Sequence, residues 1–277
     1  MSLILSLTLA FAVSPDGAPP VLSAEQILEQ AAQAQNADDV AKDLRDFSVR
    51  INVNRRTEGS RVVLKVERKF QAPNKLWTRI EEDAITNAIK VQGFDGEAAW
   101  IFDEKSEKVM ILSGPDHRAD RKQIEADLKM MRQLLRFFFL RNLIPAVDSL
   151  ERLDDESVQV DRRTERVAMV IAGAGHLPET DGKPCRLKLW IDTETHYLLV
   201  ARLEVEGSAP QQYHFMLHAP NEQGVVVPGN TRVYVNDSPD WSETLAIEMK
   251  KVGDVEVNDI QFNTGIDEEI FKAPDVD

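Results

Sequence analysis

Between Arg61 and Phe70 the chain alternates: Val62, Leu64, Val66 and Phe70 share one side of an extended backbone, while Val63, Lys65, Glu67 and Lys69 take the other. Arg68 interrupts the apolar side. A period of two is the mark of a half-buried strand. The same reading predicts strands over Phe47 to Arg55, Lys75 to Glu82, Ile89 to Phe94, Ala98 to Asp103, Lys108 to Leu112, Gln159 to Ile171 and Arg186 to Asp192. Further strands are predicted over Tyr197 to Glu206, Gln212 to His218, Thr231 to Asn236, Glu243 to Val252 and Val255 to Phe262. Asp95-Gly96, Asp192 to Thr195, Pro228-Gly229 and Gly253-Asp254 each stand between two such runs and read as turns. Many short strands joined by turns predict an antiparallel meander.

Two segments change the period. Ser23 can cap a short helix with Glu25 in its first turn and Ile27, Leu28, Ala31 and Ala32 on one face, ending near Gln35. From Arg121 to Leu140, Ile124, Leu128, Met131, Leu135 and Phe138 recur at helical spacing, with Lys122, Lys129, Arg132 and Arg136 over much of the rest. This is a basic amphipathic helix. Its Met130, Met131, Phe137, Phe138 and Phe139 read either as plain core or as the lining of a cavity under a helix that covers a curved sheet. Met131 and Phe138 share a stripe with Leu128 and Leu135, so both are expected to face the concavity. Trp100 and Phe102 share a strand face after the Asp95-Gly96 turn, and Trp100 is expected to be buried.

The 277 residues suffice for a sizeable core, and 33 Lys and Arg against 47 Asp and Glu give a net charge of −14. A surface of that sign repels polyanions, which argues against nucleic acid as a partner. One cysteine, Cys185, excludes an intrachain disulfide framework or a CxxC pair. It opens an apolar alternation with Leu187, Leu189 and Ile191 and reads as a small core residue.

Leu3 to Val13 is an apolar stretch too short to span a bilayer as a helix; it reads as the core of an export signal, with Ala10-Phe11-Ala12 near its end as a cleavage site and Asp16 to Pro20 as a linker, or else as a buried strand. Residues 1–20 are therefore expected to be an export signal and linker, although no Lys or Arg precedes the apolar run. No glycine-rich phosphate loop, G-x-S-x-G or H-E-x-x-H occurs, and Gly173-Ala174-Gly175 lacks the third glycine. His214 and His218 share a strand face and read as a metal pair or as two exposed imidazoles. Asp192, Glu194 and His196 read as an acid-base group or as a solvated hairpin tip. The expectation is a protein that is not an enzyme, with no metal and no cofactor.

Phe70-Gln71-Ala72-Pro73-Asn74-Lys75-Leu76-Trp77, then Phe94-Asp95-Gly96-Glu97-Ala98-Ala99-Trp100-Ile101-Phe102-Asp103, resembles the LolA-like family of periplasmic outer-membrane lipoprotein carriers. Asn258-Asp259-Ile260-Gln261-Phe262 and Ile270-Phe271-Lys272-Ala273-Pro274 are similar to the closing strand and F-x-x-P tail of such proteins. The resemblance implies a mainly β fold with a few helices: a curved antiparallel sheet forming an incomplete, half-open β-barrel covered by α-helices. It also implies a single lipid-binding domain over residues 21–277; the segment around 116–163 is longer than compact carriers need and is expected to be a helical insertion.

Lipoprotein acyl chains or lipid are then the implied cargo, and an inner-membrane donor and an outer-membrane acceptor the implied partners. Transient membrane contact through the basic helix is a further expectation. The protein would be exported and soluble in the periplasm. The expected acyl-chain lining is Leu64, Val66, Phe70, Leu76, Trp100, Phe102, Met131, Leu135, Phe138 and Leu189. Many carriers place Arg immediately before the proline of the first motif, where this chain has Ala72. Arg68, on the same strand face as position 72, is the candidate substitute. A lipid-sensing envelope regulator built on the same fold is the alternative function.

Overall fold

A computed structural model describes residues 21–57, 60–82, 89–160, 164–235 and 250–275. The export signal expected over residues 1–20, and the strand expected over Glu243 to Val252 up to Lys250, lie outside them. Among the described residues thirteen strands form one antiparallel sheet. Six run as a meander: β1 (Asp46–Thr57), β2 (Ser60–Gln71), β3 (Lys75–Glu82), β4 (Ile89–Phe94), β5 (Ala99–Asp103) and β6 (Lys108–Ile111). The second meander comprises β7 (Val147–Gln159), β8 (Glu165–Gly175), β9 (Cys185–Asp192), β10 (Leu198–Val205), β11 (Gln211–Pro220), β12 (Val226–Val235) and β13 (Lys250–Phe262). β13 pairs with β1 and joins the two halves, so β6 and β7 are the edges and the sheet is an open half-barrel.

Alternation sets the curvature. Phe47, Val49 and Ile51 of β1 are buried on the same face as Phe70 and Val66 of β2, their register partners Phe47↔Phe70 and Ile51↔Val66 placing them side by side. Leu189 of β9, Ala201 of β10 and Tyr213 of β11 belong to the same apolar cluster. Side chains from both halves of the sheet can meet in one cluster only if the sheet bends around it.

The helices fill the concave side. α1 (Ala24–Ala34) begins with a capping box in which Ser23 and Gln26 satisfy each other's backbone N–H groups, and it buries Ile27, Leu28, Ala31 and Ala32. α2 (Asp38–Lys42) is a single short turn that buries Ala41. α3 (Arg118–Phe138) buries Ile124, Leu128, Met131, Leu135, Phe137 and Phe138, the stripe expected from the spacing. No helix of the described residues is long and apolar enough to cross a membrane.

Three local expectations need correction. The run Gln159 to Ile171 is two strands, with the Val160 N–H reaching the Thr164 carbonyl across the turn between β7 and β8. β7 escaped notice because register shifts between Val147/Ser149 and Leu153/Glu156 break its period of two. It is also an edge strand, and its many acidic residues suit an edge left open to water.

Pro228-Gly229 lies inside β12, not in a turn, and the chain reverses instead at Asn221 to Val225. There the Asn221 Oδ1 accepts from the N–H groups of Gln223 and Val225. Gly253-Asp254 likewise lies inside β13, opposite Val233 and Arg232, where a register shift absorbs it. Gly173 and Gly175 belong to β8, in agreement with the reading that they form no phosphate loop. A Cβ at Gly175 would stand 2.9 Å from the Val147 Cα, so glycine there lets β7 and β8 close up.

Candidate functional site

The inner face of β1 to β5 is built in rows that follow the register. Phe47, Phe70, Leu76, Phe94 and Ala99 form one row across five strands. Its neighbour runs Val49, Arg68, Thr78, Gln92 and Ile101. The next begins Ile51, Val66 and Ile80. Two apolar rows therefore bracket a row whose middle three members are polar.

α3 lies along this face. Ile124 packs with Ala99 and Leu112, and Leu128, Met131, Leu135 and Phe138 join the main cluster with Val66, Phe70, Leu76 and Leu189. Phe138 and Phe137 meet Phe215 at ring-centroid distances of 6.3 and 6.2 Å, and Phe139 meets Phe262 at 5.1 Å. These contacts set α3 against both halves of the sheet.

The polar row answers α3 directly. The Arg68 guanidinium lies 3.5 Å from the Asp127 carboxylate, with only 11% and 14% of the two side chains exposed. Arg68 Nη1 also points at the Met131 sulfur, 3.1 Å away. Gln92 Nε2 donates to Asp127 Oδ2 at 3.4 Å. Thr78 is fully buried, and its hydroxyl has no hydrogen-bond partner among the described residues.

Most other fastenings of α3 are polar. Arg136 grips Glu179 through Nη2 and Nε, at 2.6 and 3.1 Å to Oε1, and donates to the Asn142 carbonyl at 3.0 Å. Lys129 meets Asp181 at 2.5 Å, and Arg132 donates to the Pro73 carbonyl. Gln133 donates to the Tyr213 hydroxyl at 3.0 Å, and burial pushes that phenol well above its ordinary pKa. At the end of α3, Gln35 of the α1 cap donates to the Phe137 carbonyl and accepts from the Leu140 N–H.

Of the residues expected to line a cavity, Val66, Phe70, Leu76, Met131, Leu135, Phe138 and Leu189 are brought together in this cluster, with Leu64 packed at its margin. Trp100 and Phe102 are not. They alternate with Ala99 and Ile101, which face α3, so both project from the opposite side of the sheet. Trp100 is buried there as expected: its Nε1–H donates to the Phe271 carbonyl at 2.8 Å. A Cβ at Gly93 would fall 2.4 Å from its ring, so glycine makes the space the indole fills. Sequence reasoning assigned those two rings to the concavity because it gave their strand a face without knowing its register.

Ala72 lies beyond the end of β2, exposed, with its N–H on the Arg45 carbonyl. The strand-face equivalence between Ala72 and Arg68 therefore does not hold, since Arg68 alone points inward. Asp127, Thr78 and Gln92 were not found from the sequence. The available signal was Arg68, a charge on an apolar strand face, whose cross-strand neighbours only the register reveals.

The remaining candidates disperse. His214 packs against Tyr234 and His218 stacks on Tyr197, with centroids 4.8 and 4.9 Å apart. Neither is exposed. Burial lowers both imidazoles to about 4, helped at His214 by the nearby Arg232 charge. Among the described residues no three His, Cys, Asp or Glu side chains gather to hold a metal.

Asp192 is buried and organises its hairpin, accepting from the Thr195 hydroxyl at 2.8 Å and the Glu194 N–H at 3.2 Å. Cys185 is buried in the core, its thiol directed at the Gly175 carbonyl, and burial raises its pKa. A cleft of about 530 Å³ opens beside it, bordered by His176, Arg186 and Glu204 and by no residue of α3.

No protein-family model matches the chain, and no curated protein matches it. Solved structures do. A putative outer-membrane lipoprotein-sorting protein domain from Vibrio parahaemolyticus is similar at 13% identity and a TM-score of 0.47, covering 90% of this chain and 97% of that one. A DUF1329 family protein from Desulfovibrio piger is similar at 11% identity and 0.48, over 90% and 97%. A LolA superfamily protein from Nitrosomonas europaea is similar at 12% identity and 0.48, over 91% and 98%.

Proposed function

We propose that the concave face binds acyl chains of lipids or lipoproteins, and that the protein carries them between membranes of the cell envelope without catalysing a reaction. The observation that supports this most is the construction of the cover. α3 presents an apolar stripe to an apolar sheet face, while its flanks are tied down by side-chain contacts at its rim, those of Arg132, Arg136 and Lys129. The Lys129 and Arg132 contacts are exposed and exchange readily with water, whereas the Arg136–Glu179 pair is largely buried and restrains the helix; lifting α3 exposes the apolar rows of the sheet on either side of Arg68, Thr78 and Gln92.

An acyl chain replaces what the helix leaves, each buried methylene contributing about 0.8 kcal/mol. Leu64, Val66, Phe70, Leu76 and Leu189 supply the sheet side of the lining, and Met131, Leu135 and Phe138 the helix side. Methionine accommodates chains of varied length because its flexible side chain repacks at little cost. In this reading residues 1–20 direct export to the periplasm and residues 21–277 act as one binding domain. An inner-membrane donor loads it and an outer-membrane acceptor unloads it.

The test is uptake of a fluorescent fatty acid by the purified protein. Saturable binding, competed by unlabelled fatty acid, supports the proposal; no binding by a folded protein refutes it. If bound lipid changes affinity for a protein partner while no lipid reaches acceptor vesicles, the sensor reading replaces the carrier.

A further inference from the structure

An inner face that serves only alkyl chains has no use for a guanidinium. Yet Arg68, Thr78 and Gln92 stand side by side at its centre, with apolar rows on either side. Burying such groups is unfavourable unless each is matched. Thr78 is wholly enclosed, with a hydroxyl unpartnered among the described residues. Arg68 lies 3.5 Å from Asp127 and directs Nη1 at the Met131 sulfur 3.1 Å away, and both of these contacts are to α3.

The anion in this cluster comes from the cover. Arg68 and Thr78 belong to the sheet, whereas Asp127 belongs to α3 and leaves with it. We propose that the Arg68, Thr78 and Gln92 row is a head-group subsite that selects an anionic acyl amphiphile, a carboxylate or a phosphate on a single chain, and that Asp127 holds its place in the empty protein. The inference rests on the acyl-chain reading above and narrows its cargo to lipids with a negative head. On loading, the ligand's anion takes the guanidinium from Asp127. Its oxygens lie within reach of the Thr78 hydroxyl and the Gln92 amide, and its chain extends along the flanking rows of Phe70, Leu76 and Val66. The exchange replaces one anion by another, so no net charge is buried in the interior.

The experiment compares a fluorescent fatty acid with its methyl ester, each below its aggregation concentration, on the parent and on Arg68→Met, Arg68→Lys and Asp127→Asn. Circular dichroism and a melting curve accompany each variant. The parent should bind the acid at least about tenfold more tightly than the ester, the effect of one charge-assisted hydrogen bond. Arg68→Met should bring the two within about threefold by weakening the acid alone, and Arg68→Lys should restore part of the preference. Asp127→Asn, by removing the internal competitor, should tighten the acid and leave the ester unchanged.

Displacement by a lysophosphatidate at lower concentration than by oleate assigns the phosphate, and the reverse order assigns the carboxylate. Equal binding of acid and ester by parent and folded variants overturns the subsite while leaving the acyl-chain reading intact. Binding of neither probe removes both. A purely structural Arg68 would lower the melting temperature without changing the ratio of acid to ester.

Discussion

Glu179→Ala removes the carboxylate that grips Arg136 at 2.6 and 3.1 Å and tests whether α3 is a cover. The two side chains are 16% and 7% exposed, so the pair is largely desolvated, and deleting one member leaves the other charge without its counterion. Such truncations cost about 3–5 kcal/mol. Arg136 keeps the Asn142 carbonyl at 3.0 Å and some contact with water, which places this pair near the low end, at about 3 kcal/mol.

If the loss falls on the seat of α3 and not on the sheet, the open population rises by about two powers of ten. Hydrogen exchange read by mass spectrometry should then show amides from Arg118 to Phe138 exchanging about a hundredfold faster. Those of β1, β2 and β13 should stay at their parental rates, and a fluorescent fatty acid should enter faster. Uniform acceleration across sheet and helix would refute the reasoning, because it would make α3 an inseparable part of the core. Unchanged exchange in α3 would show that the ion pair does not hold it.

Replacing Met131 and Phe138 together by Asp should abolish fatty acid uptake while leaving the sheet circular dichroism signal; undiminished uptake would place the helix stripe outside the binding surface. Trp100→Ala should lower stability by about 3–5 kcal/mol in a denaturant titration, since it empties a fully enclosed site and leaves the Phe271 carbonyl unpaired. It should leave acyl binding intact, because Trp100 projects from the other side of the sheet; a loss of binding in a folded variant would contradict the assignment of faces. His214 and His218 titrate at about 4 in the folded chain against about 6.5 when unfolded, so the unfolded state takes up protons first. Their contribution to stability is complete above pH 6.5 and declines as the pH falls towards 4, a slope that the double variant His214→Gln, His218→Gln should flatten; an equal slope in parent and variant would refute it.

The alternation of β1 and β2 and the stripe of α3 were legible in the sequence because each element buries one face of a regular period. The antiparallel meander followed from the succession of hairpins, and its half-open form only from the resemblance carried by the motifs around Pro73 and Trp100. β7 was not legible, since two register shifts erase its period and an edge strand needs little apolar content. The Pro228-Gly229 and Gly253-Asp254 pairs misled because turn-forming residues are also tolerated where a strand kinks or shifts register.

The site was half visible. The burial of Phe70, Met131, Leu135 and Phe138 follows from periodicity, whereas Leu76 came with the motif around Pro73. The side of the sheet taken by Trp100, and the meeting of Arg68 with Thr78, Gln92 and Asp127, depend on pairing between segments distant in the chain. No local pattern encodes that pairing.

Native mass spectrometry of the protein purified from its own cell asks whether it carries lipid. A bound acylated species is expected, retained under mild ionisation, released on activation and absent from the Met131→Asp, Phe138→Asp variant prepared in the same way. A parent protein that emerges only at its own mass, from an envelope whose lipids are intact, would contradict acyl-chain binding.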